Sequence, residues 1–178
     1  MSQERSMDIS TESKREISGT RLDMANRIFF RLYQCANMLH KTGSRALEAD
    51  GLTTQQWAVL GALSRKSAMH GMSIGDLARY LMVSRQSLAG LLSRMARDGH
   101  VTIAADTTDR RSRIVSMTDV GGHAWNVLAQ PKIRDYYMQA LDGVSINDTA
   151  HILHYLLTIL GNMQEIDAKS VRNEPDPD

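Results

Sequence analysis

Residues 106–122 read DTTDRRSRIVSMTDVGG. Asp109, Arg110, Arg111 and Arg113 crowd into five residues, and the alternating run Ile114, Val115, Ser116, Met117 follows at once. Alternation with β-branched residues has the two-residue period of a strand. Upstream, Val101 to Ala104 is a second short run of the same kind, set apart by the polar segment Ala105 to Ser112. Two such runs around a polar loop predict a hairpin with arginines at its tip. Long guanidinium side chains on a protruding tip suit an anionic partner.

Two short helices precede the hairpin. Ser73 with Asp76 reads as the N-terminal cap of a helix reaching Tyr80. Ser84, three residues after Leu81, caps the next helix, in which Leu88, Leu91, Leu92 and Met95 face inward and Gly99 is placed for a left-handed stop. The tight Leu81-Met82-Val83 link makes the pair a helix-turn-helix unit. On these residues alone an ordinary helical hairpin is an equal reading. The strand pair that follows turns it into a winged helix.

Further out, Leu22, Ala25, Phe29, Leu32, Ala36, Leu39, Gly43 and Ala46 step by three and four, the stripe of a long first helix. Thr53 and Gln56 form a capping box ahead of a helix carrying Trp57, Val59, Leu60 and Leu63. Thr118 with Asp119 starts a helix to about Leu141, against which Gly121, Gly122 and Pro131 weigh. Ser145 with Asp148 opens a last helix carrying Ile146, Ala150, Leu153, Leu157 and Leu160. The outer helices carry more apolar surface than a small lobe uses, which predicts a subunit interface and two recognition helices about a two-fold axis. The expected fold class is mainly α. A winged helix-turn-helix DNA-binding lobe spans 51–117, and a helical dimerisation lobe is formed by the N- and C-terminal helices, 21–50 and 118–167. Polar tails, 1–20 and 168–178, are expected to be flexible.

Lys plus Arg number 21 and Asp plus Glu 20 in 178 residues, so the net charge of +1 is uninformative, but its distribution is not. From Arg65 to Arg113 nine basic residues face four acidic ones, a polyanion-facing middle in an otherwise acidic chain. The single Cys35 makes no internal disulfide, which fits a reducing compartment. No apolar run is long enough for a membrane span and the polar start lacks a secretory apolar region, so a cytoplasmic location is expected. No phosphate-binding glycine motif, nucleophile elbow or metal triad occurs, so neither enzyme nor cofactor is expected. His151 and His154 share a helix face but lack further ligands, and no metal is expected. Winged helices also serve as dimerisation lobes of small-molecule methyltransferases. Those need a separate nucleotide-binding α/β domain, for which there is no room.

Over about residues 22–167 the sequence resembles the MarR family of bacterial transcriptional regulators. The family's wing pattern is Asp-x-Arg, five residues, then Leu-Thr. Here it reads Asp109, Arg110, Arg111, SRIVS, Met117, Thr118, with Met at an apolar site in place of Leu. The stretch VSRQSLAGLLSRMARDGHV, residues 83–101, is similar to the family's recognition helix. The resemblance implies a homodimer that binds a pseudo-palindromic operator in double-stranded DNA, often as a repressor, and releases it when a small molecule enters a cleft between the lobes.

In that frame Arg110 is the candidate for the wing tip in the minor groove, with Arg111 and Arg113 beside it. Asp109 is expected to pair with Arg111 and shape the hairpin. A solvated charged turn is the plain alternative. On the recognition helix Ser84, Arg85, Gln86, Ser87 and Gly90 are the exposed candidates, with Arg94 a turn further on. Gln suits adenine and Arg guanine, while Arg94 suits phosphate. Ser73 and neighbouring amides are placed to hold a phosphate at a helix N-terminus.

In the family the first two helices border the ligand cleft. Here they carry Phe29, Phe30, Tyr33 and Trp57, with Arg27 and Arg31 one turn apart and His40 beyond. Arg27, Phe30, Arg31, Tyr33, Asn37, His40 and Trp57 form the candidate ligand set, and Phe29 fits the core stripe better. The arginines suit a carboxylate or phosphates; plain solvent exposure is an equal reading. The expected effector is an aromatic acid or its coenzyme A thioester, a class found in the family. One branch of the family senses oxidants through a first-helix cysteine in Leu-Cys-Phe-x-Leu-Tyr. The matching residues are Ile28 to Tyr33, so Phe29 occupies the reactive position, and Cys35 reads as a small buried hydrophobe. A redox-sensing regulator of the same fold and a winged-helix protein-interaction module are the alternatives.

Overall fold

The computed structural model describes residues 2–106, 109 and 111–172. It falls into two compact units, Met1–Ile133 and Arg134–Asp178. The first begins with α1 (Ser2–Leu47), a 3-10 turn (Glu48–Asp50), α2 (Thr54–Leu63), a second 3-10 turn (Lys66–Ala68) and the short strand β1 (Met72–Ser73). There follow α3 (Ile74–Leu81), α4 (Arg85–Arg97), β2 (Val101–Ala105), β3 (Arg113–Met117) and α5 (Asp119–His123). A π-helical stretch (Ala124–Ala129) carries α5 into α6 (Gln130–Ala140), and α7 (Ile146–Arg172) lies in the second unit.

Side-chain oxygens start the helices where the sequence predicts. Thr53 Oγ1 accepts from the Gln56 amide at 3.2 Å while Gln56 Oε1 accepts from the Thr53 amide at 2.8 Å, a complete capping box on α2. Ser73 caps α3 through the Asp76 amide at 3.0 Å, and Ser84 caps α4 through the Ser87 amide at 3.1 Å. In the second unit Ser145 caps α7 through the Asp148 amide at 3.1 Å. Each such cap is worth about 1 kcal/mol relative to alanine.

The core lies in the first unit. Leu60, Leu77, Leu88, Leu92, Met95, Val101 and Val115 are fully buried, drawing on α2, α3, α4 and the sheet. All four inward positions expected on the recognition helix, Leu88, Leu91, Leu92 and Met95, are in this core. Gly99 ends α4 with φ +78°.

Three features differ from the sequence reading. Residues 2–20 are helical and continuous with α1, where no element was expected. Their Glu, Lys, Arg and Met are good helix formers, a local preference that polarity alone hides. Helix α7 likewise continues to Arg172, past the expected end near 167; residues 173–178 lie outside the described residues. The third difference is the sheet, which has three strands in the order β1-β3-β2, with Met72 opposite Val115 and Ser73 opposite Ile114. A two-residue strand paired across forty residues leaves no periodic trace.

The long helix after the wing survives both glycines and Pro131 by changing its winding. The Gln130 amide bonds back to the Trp125 carbonyl, a five-residue step, just before the residue that has no N–H to give. The Trp125 ring lies over α2, where a Cβ on Gly61 would stand 2.9 Å from it, and its centroid is 6.5 Å from that of Trp57. No helix among the described residues is long and apolar enough to cross a membrane.

Candidate nucleic-acid interface and effector cavity

Helix α4 is held at both ends and apolar on one side, so its other side is fixed in place. Ser84, Arg85, Gln86, Ser87, Gly90 and Arg94 are all exposed. A Cβ on Gly90 would meet only Arg94 Nη1, at 3.9 Å, which leaves that turn open to close approach. Arg85 lies back over α3, its guanidinium 3.3 Å from where a Cβ on Gly75 would be.

The wing is the β2–β3 pair, with Val101 opposite Met117 and Ala105 opposite Arg113. Arg111 and Arg113 are exposed. Arg110 lies outside the described residues. Asp109 shapes the turn, although not by the expected pairing with the Arg111 guanidinium. Its carboxylate accepts from the Arg111 backbone N–H at 3.0 Å and its carbonyl from the Ser112 N–H at 2.8 Å. A short acidic side chain closing on the amide two residues ahead is a turn-making device in its own right.

Within the basic middle, several cations have partners inside the chain. Arg65 stacks on the Tyr80 ring 4.6 Å from its centroid, Arg79 pairs with Asp76, and Arg97 lies 3.4 Å from Asp98. Lys66, Arg85, Arg94, Arg111 and Arg113 are the described cations of this region not so engaged. The Ser73 hydroxyl donates to Asp76 Oδ2 at 2.6 Å, so the N-terminus of α3 already carries a carboxylate, itself paired with Arg79.

Behind α4 is a cavity of about 230 Å³. Leu39 and His40 come from α1, and Thr54, Gln55, Trp57 and Ala58 from α2. Leu81 comes from the end of α3, Val83 from the helix-turn-helix link, and Ser87, Leu88 and Leu91 from the recognition helix. Thr54 anchors the polar end: its Oγ1 is 2.7 Å from Ser44 Oγ and 3.4 Å from His40 Nδ1.

Of the seven candidate ligand residues the cavity gathers His40 and Trp57. Arg31 and Asn37 line a different hollow on α1 with Gln34, Cys35, Met38 and Lys41, where Arg31 donates to Gln34 Oε1 at 2.7 Å. Arg27, Phe30 and Tyr33 line neither, and Phe30 and Tyr33 are exposed. Cys35 is exposed and not buried. His151 and His154 are exposed, and both rings contact Tyr155. No cluster of three metal-ligating side chains occurs among the described residues. Nothing in the sequence marks Leu81, Val83, Leu88 and Leu91 as cavity wall, because an apolar side chain facing a void has the same periodicity as one facing the core.

Known proteins share this geometry and much of the sequence behind it. The family model described as "MarR family" matches residues 50–112, which span the reader and the ascending half of the wing. The chain is 68% identical over 147 residues to the transcriptional activatory protein BadR of Rhodopseudomonas palustris, covering 83% of this chain and 84% of that one. It is 32% identical over 118 residues to the homoprotocatechuate degradative operon repressor of Escherichia coli, covering 65% of this chain and 77% of the relative. Among solved structures, CouR of Rhodococcus jostii RHA1 bound to p-coumaroyl-CoA superposes with a TM-score of 0.66 at 17% identity, covering 74% of this chain and 90% of CouR. Structures of this fold also include complexes with DNA. Relatedness this extensive, with the family pattern lying over the capped reader and its cationic wing, makes the chain a member of the MarR family, a DNA-binding transcriptional regulator and not an enzyme.

Proposed function

We propose that the protein acts in the cytoplasm as a homodimer on a pseudo-palindromic operator, and that a small aromatic acid or its thioester, bound behind α4, releases the DNA. The observation that carries this reading is the makeup of the cavity wall. Ser87 belongs both to that wall and to the exposed N-terminal turn of the recognition helix. An occupant therefore shares a residue with the DNA-reading surface, a direct route for coupling its binding to that of DNA.

Dimerisation is supported by apolar surface that a lone chain would expose. Phe29, Phe30 and Tyr33 on α1 are 49%, 61% and 66% exposed. On α7, Leu153, Leu157 and Leu160 are exposed at the spacing of one stripe. Such rows mark an association surface. An aromatic effector is supported by the relative named for homoprotocatechuate degradation and by the p-coumaroyl-CoA in CouR. A second reading takes the activatory name of BadR as its guide: the effector-bound form then holds DNA more tightly and recruits transcription.

Fluorescence anisotropy with labelled DNA from around the protein's own gene, with and without aromatic acids and their thioesters, separates these readings. Release by ligand supports repression, tightening supports activation, and no response to the whole class removes the effector proposal.

A further inference from the structure

We infer that the cavity selects the uncharged carbonyl form of an aromatic acid, an ester, thioester or amide, over the free carboxylate. This rests on the effector-site reading above and narrows it. Among the described residues that form the cavity wall, His40 is the one ionisable group. The cations that would neutralise a carboxylate are elsewhere: Arg31 and Lys41 line the separate hollow, and Arg27 lines neither. A carboxylate moved against an apolar wall without a fixed cation loses hydration that nothing replaces. A carbonyl carries no net charge and needs only one donor.

One such donor is the side-chain amide of Gln55, while the His40 ring is engaged with Thr54 Oγ1 through Nδ1 at 3.4 Å. Size points the same way. A cavity of about 150 Å³ accommodates benzene, so about 230 Å³ holds one ring with a short carbonyl arm. The carrier portion of a larger thioester stays outside. Leu88 and Leu91 meet the ring from the recognition helix and Trp57 from α2.

The test titrates the full-length protein with benzoate, benzamide and S-benzoyl-N-acetylcysteamine near pH 8. Tryptophan fluorescence reports binding, since Trp57 is in the wall and Trp125 is 6.5 Å from it. The two uncharged compounds are expected to bind at least about tenfold more tightly than benzoate. An Ala58→Phe variant with unchanged circular dichroism, its cavity filled, is expected to lose the response. Benzoate binding as tightly as the uncharged pair overturns the selectivity and leaves the effector site standing. Silence with all three compounds, or a response that survives Ala58→Phe, overturns both.

Discussion

The carbonyl oxygen of His100 occupies the place where a side chain at Gly121 would begin, nearer to the position of its Cβ than non-bonded atoms approach. Thr118 completes the junction. Its amide donates to the same His100 oxygen at 3.2 Å, its hydroxyl donates to the Gly99 carbonyl at 2.6 Å, and its Oγ1 accepts from the Gly121 amide at 3.0 Å. The end of the recognition helix, the root of the wing and the start of α5 are thereby joined at one residue.

Gly121→Ala must displace backbone against backbone, and a loss of about 3 kcal/mol or more is expected, at the upper end for single substitutions. For a chain of this size that is a fall in Tm of roughly 10 °C. The neighbouring glycine is the control. A Cβ on Gly122 would meet nothing within 4 Å, so Gly122→Ala is expected to gain about 1 kcal/mol of helix propensity. Thermal unfolding followed by circular dichroism should move in opposite directions for the two, and a shared direction would refute the account of this junction.

Met82 is strained and sits where the reader turns. It has φ +54° and ψ 42°, the left-handed region, and its amide closes α3 on the Ala78 and Arg79 carbonyls. For a residue with a Cβ this conformation costs roughly 1 kcal/mol that glycine avoids. Met82→Gly is therefore expected to stabilise the fold by up to about 1 kcal/mol, against the usual direction for glycine substitutions. Urea unfolding provides the comparison; a glycine variant clearly less stable than the parent would mean the Met82 side chain contributes more than the strain removes.

Lys132 Nζ reaches Asp50 Oδ2 at 2.7 Å, joining the start of α6 to the turn after α1. The two ends are unequally wet: the Asp50 side chain is 10% exposed and that of Lys132 39%. Lys132→Met leaves an almost buried carboxylate without its cation, at a cost of about 2 kcal/mol, whereas Asp50→Asn leaves a lysine that can turn to water, at about 1 kcal/mol. The order of these two losses in chemical unfolding is the test. A larger loss for Asp50→Asn would show that Asp50 serves the turn and not the pair.

Much of this was legible in the sequence because it is local. The caps Thr53, Ser73, Ser84, Thr118 and Ser145 each act within three residues, and all five are found at helix starts. The period of Leu88, Leu91, Leu92 and Met95 fixes which side of the reader is outward. What stayed hidden is relational. Strand β1 pairs across forty residues, and the π-helical turns before Pro131 resolve a conflict that composition only announces. For the cavity, the cluster of Arg27, Arg31 and His40 on one helix suggests a single site, yet neighbouring positions of α1 face different surroundings, and only the packing of α2 and α4 decides which.

The interface with DNA can be dissected by separating position from charge. Arg113 is exposed beside the wing tip, and Gln86 stands on the outward side of the first turn of α4. If Arg113 meets phosphate, Arg113→Ala lowers affinity on every duplex alike and reduces the slope of log K against log salt by about 0.9 for the one phosphate no longer neutralised. Gln86→Ala is expected instead to leave the slope unchanged and to alter preference at one base pair, by about 1 to 3 kcal/mol if its amide pairs bidentately with adenine. Arg79, already paired with Asp76, supplies the internal comparison, because its removal takes away a cation with an in-chain partner and should change the slope least. Salt titrations with operator and scrambled duplexes give all three numbers. Identical behaviour of the Arg113 and Gln86 variants on both duplexes would mean that neither wing nor helix has the assigned role.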